Sequence, residues 1–390
     1  MKIVLVDSNW KKFLPVSFTR PVSHLRCGIL KIYEKWERLL KLDSVSVSEN
    51  YLNQKFFQGF DGGAVIINSK VLPSAELVST IQGLNDKEIL TAKGTWIAIK
   101  SEGGFNEDSW KNATPRVYNG YFTTIENWWD LFKQNGEQIE SDFDLLTKNR
   151  VSQALSKSNN LIGLEHKIFL EEGAYVEGCT LNTQTGSIYI GKNAEVMEGS
   201  VIRGGFAVLD ESKIKLGTKI YGPTSIGPKC RVGGEVKNSI IQGYSNKSHD
   251  GYLGNSVVGE WVNLGADTNC SNLKNTFSPA KVWDYETSKL VDSGETFLGC
   301  CIGDYAKTGI NTMINTASVI GVNSNVFGAD FPEKYIPSFS WGKTETYNLT
   351  KAWEVNQNIA IMAGEKLTDQ DYLILQNIHS SDLELFQEMS

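Results

Sequence analysis

One histidine stands among polar and aromatic residues whose types suit chemistry on a sugar. Lys237 precedes His249 by twelve positions, and Tyr252, Asn263 and Asn272 follow it. Imidazole has the unperturbed pKa nearest neutrality, so it can accept a proton from a reacting group. A lysine matches an anion, and amide side chains both donate to and accept from hydroxyls. The alternative is that His249 only binds a carbonyl or faces water.

The segment around this histidine resembles the acetyltransferase half of the bifunctional enzymes that acetylate glucosamine 1-phosphate and then uridylylate it. Residues 249–255 (HDGYLGN) and 259–266 (GEWVNLGA) match that family's His, two residues, Tyr-Leu-Gly-Asp, and its Asn-Val-Asn-Ile-Gly-Ala-Gly. The resemblance implies acetyl-CoA as the donor. It also implies a general base at His249, a phosphate contact at Lys237, sugar contacts at Tyr252 and Asn263, and placement of the donor and the histidine by Asn272.

Three departures from that family bear on the substrate. The family's arginine before the lysine has no clear counterpart, and Lys219 and Tyr221 are both open as replacements. Asp267 stands where the family has a glycine. The insertion at residues 274–295 is longer than the family's hairpin. These differences predict that the sugar can differ too.

The element that must position these residues has a period of six. An aliphatic residue recurs at every sixth position, at Ile190, Val196, Ile202, Val208, Ile214, Ile220, Ile226 and Val232. Neither a helix nor an alternating strand has this period, which is typical of a parallel β-helix. The period breaks after Val232, where an insertion is expected to form a flanking loop that carries His249, and again at about residues 276–296. The resemblance implies a left-handed coil and a homotrimer with sites between chains.

The N-terminal part predicts a Rossmann-like layer of strands and helices. Residues 3–6 form an apolar run that ends at Asp7, residues 64–68 and 95–99 have strand character, and a helix is expected to begin after Asn127. Short, continuously apolar strands are typical of a sheet covered on both faces.

The loop after the first strand resembles the opening motif of sugar-1-phosphate nucleotidyltransferases. Residues 14–21 (LPVSFTRP) match it in part, and residues 18–22 (FTRPV) match the opening of a divergent bacterial branch that ends in a hexapeptide coil. Residues 8–11 replace that family's Gly-rich stretch and Val22 replaces its lysine. A loop without glycine cannot bring its amides against a triphosphate in the usual way.

The resemblance still implies phosphate contacts in this region. Lys12 stands at the family's arginine, and Arg20 and Arg26 can each grip phosphate with two hydrogen bonds. Asp7 is the candidate Mg²⁺ ligand because it ends a strand. The alternatives are that both arginines brace the loop and that this domain has lost its activity.

Composition and length predict a cytoplasmic protein with several domains. We expect a nucleotidyltransferase-like domain at 1–155, a left-handed β-helix at 156–345 and a helical tail at 346–390. The net charge of −7 and pI near 5.4 argue against nucleic acid or a membrane as partner. Six scattered cysteines suggest reduced thiols, and no signal peptide is evident.

The sequence therefore predicts an enzyme of sugar-nucleotide biosynthesis. The leading hypothesis is acetyl-CoA-dependent N-acetyl transfer to an amino-sugar 1-phosphate by the coil, joined to a divergent nucleotidyltransferase domain that uses UTP or dTTP. A second hypothesis keeps only nucleotidyl transfer, with the coil as a trimerising scaffold. A third is a non-catalytic scaffold that binds sugar nucleotides.

Overall fold

The computed structural model describes residues 1–106 and 112–389, with side chains up to residue 381. Contacts divide the chain into two units. The first comprises Met1–Phe13, Thr19–Leu25 and Leu30–Glu126, and the second comprises Leu14–Phe18, Arg26–Ile29 and everything described from Asn127 onward. The domain boundaries near residues 155 and 345 stay predictions.

The first unit is a mixed sheet with helices, and its core strand is the apolar run near the N-terminus. Ile3, Val4 and Leu5 are fully buried, which explains why this strand reads as continuously apolar. The six-stranded sheet has the order β2-β1-β3-β6-β5-β7. Strand β1 is parallel to β2 and β3, whereas β6 is antiparallel to β3. The strands are β1 Lys2–Val6, β2 Ser44–Val47, β3 Ala64–Asn68, β4 Val71–Leu72, β5 Glu88–Ala92, β6 Thr95–Ser101, β7 Thr114–Val117 and β8 Thr123–Thr124.

Short helices complete this unit. The α-helices are α1 Ile32–Leu40, α2 Asn50–Phe56 and α3 Ala75–Gln82, and 3-10 helices span Trp10–Phe13 and Val22–His24. The predicted strands at 3–6, 64–68 and 95–99 are confirmed. The antiparallel pair makes the sheet mixed, and the α/β class of this part is confirmed.

The second unit is a three-faced parallel β-solenoid, so the fold predicted from the period is confirmed. Successive residues of the six-residue series fall on the first, second and third face in turn, and all eight are at most 1 % exposed. On each face the strands stack in parallel register, for example Ile190 on Val208 and Val208 on Ile226. Each turn therefore adds one aliphatic side chain per face to a continuous interior.

The three faces have the following strands. The first face has β10 Ile168–Leu170, β13 Ile188–Ile190, β16 Phe206–Val208, β19 Thr224–Ile226, β22 Ile240–Gly243, β25 Val257–Glu260, β29 Cys301–Ile302, β32 Val319–Ile320 and β34 Tyr335–Ile336. The second has β11 Tyr175–Val176, β14 Glu195–Val196, β17 Lys213–Ile214, β20 Arg231–Val232, β23 Asn246–Lys247, β30 Lys307–Thr308, β33 Asn325–Val326, β35 Ser340–Trp341 and β36 Glu345–Thr346. The third has β9 Asn160–Ile162, β12 Thr180–Asn182, β15 Val201–Arg203, β18 Lys219–Tyr221, β21 Glu235–Lys237, β24 Tyr252–Gly254, β26 Asn269–Cys270 and β31 Met313–Ile314.

The predicted loop insertion after Val232 is wrong. The coil continues without interruption, because Val236, Ile241, Lys247 and Leu253 fill the next interior positions. Two corners are shorter than those before them, and left-handed residues make this possible: Gly234 has φ +74° and Asn238 has φ +46°. The shortened corners, together with a lysine at an interior position, hide the period.

The second break is an insertion, as predicted. It forms an antiparallel hairpin of β27 Lys281–Asp284 and β28 Lys289–Asp292. The hairpin is anchored on the coil because the Trp283 ring stacks on Tyr335 at 4.1 Å and Tyr285 meets the same ring edge-on.

Three helices accompany the coil. Asn127 caps α4 Trp128–Thr147, as predicted, and Ile139 and Phe143 of this helix pack on the first face. Helix α5 spans Leu349–Met362 and α6 spans Asp369–Met389. Helix α6 continues through Ser381, whose Oγ donates to the Asn377 carbonyl at 3.0 Å. A 3-10 helix spans Glu165–Lys167.

Candidate functional site

A polar and aromatic cluster lies on the third face of the coil. Register places Tyr221 beside Lys237 and Glu235 beside Tyr252. The Tyr221 hydroxyl donates to Glu235 Oε1 at 2.6 Å. The Lys237 ammonium lies 5.7 Å from the Tyr221 ring and 5.9 Å from the Phe297 ring, within the range of cation–π attraction. These residues, with Asn272, are called the Lys237 cluster below.

Asn272 and Gly254 fix the position of the Tyr252 side chain. Asn272 Nδ2 donates to Asn255 Oδ1 at 2.7 Å, and Asn272 also makes a hydrogen bond with Tyr252. A Cβ at Gly254 would lie 2.2 Å from the Tyr252 hydroxyl oxygen, so the glycine leaves the space that the phenol occupies. Burial, and secondarily the charge of Glu235, raises the pKa of Tyr252 to about 12. The phenol is therefore a neutral donor at physiological pH.

Glu235 was missed by the sequence analysis. Its carboxylate accepts from Tyr221, and this hydrogen bond is the main reason that the pKa of Tyr221 rises to about 12. The sequence feature that could have identified it is the Glu-x-Lys spacing, which puts Glu235 and Lys237 on the same side of one strand. Of the two replacements left open for the missing arginine, Tyr221 is in register with Lys237, whereas Lys219 is in register with Glu235.

His249 occupies the corner between the second and third faces. It follows β23 and precedes β24, and its side chain is exposed. Its carbonyl accepts a hydrogen bond of 3.1 Å from the Lys247 ammonium. The histidine thus lies on a coil corner directly before the strand that carries Tyr252.

Asn263 lies on the second face, on the other side of the His249 corner. Its Oδ1 accepts from Asn246 Nδ2 at 2.7 Å, and Asn246 Oδ1 accepts from Ser248 Oγ. One chain therefore brings Lys237, Tyr252 and Asn272 together on one face and leaves Asn263 on the neighbouring face, with the histidine between the faces.

Asp7 is a partly buried carboxylate at the end of β1. Its Oδ2 accepts from Ser48 Oγ at 2.7 Å and from the Val22 amide at 3.0 Å. Burial raises its pKa to about 6, although these hydrogen bonds act in the opposite direction. The other oxygen, Oδ1, is buried without a hydrogen-bond partner, which fits a carboxylate that can take a cation.

The described residues contain no group of three or more His, Cys, Asp or Glu side chains arranged to hold a metal ion. Mg²⁺ at nucleotide sites is commonly held by one or two carboxylates and the substrate phosphates. Asp7 fits that mode as a single ligand. All six cysteines are free and buried.

The three cationic candidates are divided between the two units. Lys12 is in the 3-10 helix Trp10–Phe13, and Arg20 is buried in the first unit. Arg26 belongs to the second unit, where its guanidinium donates to the Ile29 carbonyl and its amide donates to Gln242 Oε1 at 2.7 Å. Arg26 thus braces its loop through the Ile29 carbonyl and the Gln242 side-chain amide.

Residues 309–316, on a later turn of the coil, have polar groups that bond locally. Thr312 Oγ1 donates to the Gly309 carbonyl at 2.8 Å, and Thr316 Oγ1 lies 2.8 Å from Ser271 Oγ. Ile310 and Met313 remain exposed beside them. Acetyl-CoA binding stays a prediction.

Comparison with known proteins bears on both units. Residues 3–151 match the family described as sugar nucleotidyl transferase. The predicted resemblance is confirmed. A bifunctional sugar-1-phosphate nucleotidylyltransferase/acetyltransferase of Sulfurisphaera tokodaii is 30% identical over 212 residues, which cover 54% of this chain and 46% of that protein. The bifunctional protein GlmU of Synechococcus elongatus is 24% identical over 219 residues, covering 53% and 44%.

The chain spans about half the length of the curated relatives that it matches. The crystal structure of the polysialic-acid-specific acetyltransferase NeuO overlaps 52% of this chain and 94% of its own, with 10% identity and a TM-score of 0.28, which is too low to carry an argument. The Sulfurisphaera tokodaii protein and NeuO are transferases by name. Within the described ranges, no helix has the length and apolar character needed to cross a membrane.

Proposed function

We propose that the coil transfers an acetyl group from acetyl-CoA to the amine of an amino-sugar 1-phosphate. The observation that carries the proposal is the Lys237 cluster lying directly beside the corner that bears His249. Here an anion-matching lysine, a carboxylate and neutral hydrogen-bond donors line one face, and a proton acceptor lies at its edge.

Each side chain has a chemical task in this proposal. Lys237 pairs with the sugar phosphate, while Tyr252 and Asn272 bind polar groups of the acceptor. His249 takes a proton from the amine as its nitrogen attacks the acetyl carbonyl. The bond between the acetyl carbon and sulfur breaks, and the proton on His249 passes to the departing thiolate. The thioester of acetyl-CoA supplies the activated acetyl group.

Asn263 enters the proposal through a second copy of the chain. One chain leaves it on a different face from Lys237, so a complete set of sugar contacts needs a neighbouring coil. A closed threefold assembly would give three equivalent sites between chains. Such a homotrimer and a cytoplasmic location remain predictions.

The test is CoA thiol release with a panel of amino-sugar 1-phosphates. We expect release with at least one acceptor, and a fall in kcat of about 10²- to 10⁴-fold in His249→Ala. His166→Ala is the matched control, because His166 is also exposed but lies in the 3-10 helix Glu165–Lys167. Full activity in His249→Ala, or no release with any acceptor, would overturn the proposal.

A second candidate function, nucleotidyl transfer in the first unit, is favoured by Asp7. The family match and the unpartnered buried oxygen of this carboxylate support a site for Mg²⁺ and a sugar phosphate with UTP or dTTP. Pyrophosphate release that requires Mg²⁺ and is lost in Asp7→Asn is expected. If pyrophosphate is never released while CoA release proceeds, the first unit does not catalyse this reaction.

A further inference from the structure

A lysine occupies an interior position of the coil where every earlier turn has an aliphatic residue. On the second face the interior positions run through Val176, Val196, Ile214 and Val232, each in register with the next, and Lys247 is in register with Val232. The lysine is 3 % exposed. Burying a charged amine in a hydrocarbon stack is costly unless its hydrogen bonds are made.

All three protons of the ammonium have acceptors, and every acceptor is a backbone carbonyl of the His249 corner or of the corner one turn before it. Lys247 Nζ donates to the carbonyl oxygens of Gly233 at 2.9 Å, His249 at 3.1 Å and Gly251 at 2.7 Å. Two of these carbonyls belong to the corner of His249 itself. The third belongs to the corner of the preceding turn, so the side chain ties the two turns together.

The interior stays polar around this lysine. Thr308 occupies the same column beyond Leu264, and its hydroxyl accepts from the Gly265 amide at 2.9 Å and lies 2.8 Å from Thr268 Oγ1. The polar side chains in this column are thus Lys247, on the turn that carries His249, and Thr308, one turn beyond Asn263, whose own turn has Leu264 at this position. The buried lysine itself lies on the turn that carries His249.

We propose that Lys247 is a positioning residue, whose buried ammonium holds the corner backbone in the conformation that presents His249 to the acceptor amine. This inference rests on the proposed acetyl transfer. Lys247 contacts neither substrate, and its effect passes through the carbonyls at residues 249 and 251. Its removal should therefore lower kcat and leave acceptor binding nearly intact.

Titration of the amine gives the proposal a second consequence. Burial lowers the pKa of Lys247 to about 8, and the carboxylates of Asp250 and Asp267, the charged groups that act on it, only partly offset this. The neutral amine keeps two donors for three carbonyls. Acetyl transfer should therefore decline as pH rises through about 8.

The experiment compares the full-length wild type with Lys247→Met, which keeps an unbranched chain of similar size. We expect kcat to fall at least tenfold, the KM of the acceptor to change less than threefold, and the alkaline decline in kcat to disappear. Lys213→Met is the matched control: Lys213 is on the same face and pairs at the surface with Glu195 at 2.7 Å. It should leave all three quantities unchanged.

The position of the imidazole is read independently of activity. The chain has four histidines, so the ring signals of ¹³C-labelled histidine can be assigned to His249 with His249→Gln. Lys247→Met should shift or split the His249 signal and leave those of the other three in place. An unchanged His249 signal, an unchanged kcat, or a rise in KM alone would overturn the proposal.

The two proposals fail separately. If no acceptor is acetylated by the wild type, the acetyl-transfer proposal fails, and the NMR comparison still decides whether Lys247 positions the ring. If Lys247→Met does not fold, the wild type is titrated instead. A His249 signal that moves near pH 8 supports the proposal, and one that moves only with the ring's own titration overturns it.

Discussion

The second face of the coil has two halves with the same backbone and different interiors. From Val176 to Val232 the column is aliphatic, whereas from Lys247 onward it includes a lysine and a threonine. Parallel stacking of the turns requires only an aliphatic column. The lysine lies on the turn that bears His249, so at this turn a buried charge that holds the corner replaces uniform aliphatic packing.

Placing a lysine in the aliphatic half should break the fold. In Ile214→Lys the ammonium would enter a fully buried position whose neighbours are Val196 and Val232, without the shared carbonyls that Lys247 has. We expect a loss of about 3–5 kcal/mol in the free energy of unfolding, measured by urea denaturation. Ile214→Val, at about 1 kcal/mol, controls for the loss of packing alone. Equal stability of Ile214→Lys and wild type would mean that the two halves tolerate charge alike.

Removing the charge of the Lys237 cluster should affect binding of the acceptor. In Lys237→Met the partner of the sugar phosphate is lost while His249 is untouched, so we expect the acceptor KM to rise about 10- to 100-fold with a smaller change in kcat. Lys219→Met is the control, because Lys219 is exposed on the adjacent strand of the same face. The assignment of Lys237 would be wrong if both variants gave the same modest change.

The sequence predicted the aliphatic half of the coil and failed at the turn directly after it. The six-residue series identified the solenoid because each member from Ile190 to Val232 is an interior residue. Directly beyond Val232 the same rule failed, since short corners shift the spacing and Lys247 replaces an aliphatic residue. The segment with His249 was therefore wrongly predicted to be a loop.

The Lys237 cluster was only partly predictable for a similar reason. Lys237, Tyr252 and Asn272 came from a resemblance, whereas Glu235 and Tyr221 join them through register between turns. Register depends on the length of each corner, which a period count does not supply. The strands of the first unit were predicted from its apolar runs, but the antiparallel pairing of β6 with β3 and the division of Lys12, Arg20 and Arg26 between two units were not.

Gly254→Ala tests the geometry of the third face, with a smaller expected effect than the two substitutions above. The new Cβ in Gly254→Ala would lie 2.2 Å from the Tyr252 hydroxyl oxygen and force the ring to move. Because Tyr252 is proposed to contact the acceptor, we expect kcat/KM to fall about tenfold with the thermal midpoint nearly unchanged. Gly254→Ala in a Tyr252→Ala background should have a smaller effect, since the clashing hydroxyl oxygen and the ring carbons at 2.6 and 2.9 Å are then both gone. An equal effect in both backgrounds would show that the strand, rather than the phenol, is disturbed.

The smallest expected effect is the pH dependence that Lys247 gives to the free energy of unfolding, which the aliphatic half of the column does not have. The pKa of Lys247 is about 8 in the folded protein and near its usual 10.5 in the unfolded chain. Between these values the unfolded chain binds more protons, so the stability of the wild type rises with pH relative to Lys247→Met, by about 1 kcal/mol between pH 8 and 9. Below pH 8 the difference between the two proteins should be constant. The measurement is the urea midpoint of both proteins from pH 7 to 10.

Over the same interval, acetyl transfer by the wild type should decline, because the neutral amine holds the His249 corner less completely. General alkaline damage would lower stability and activity together, so parallel declines would remove Lys247 as the cause.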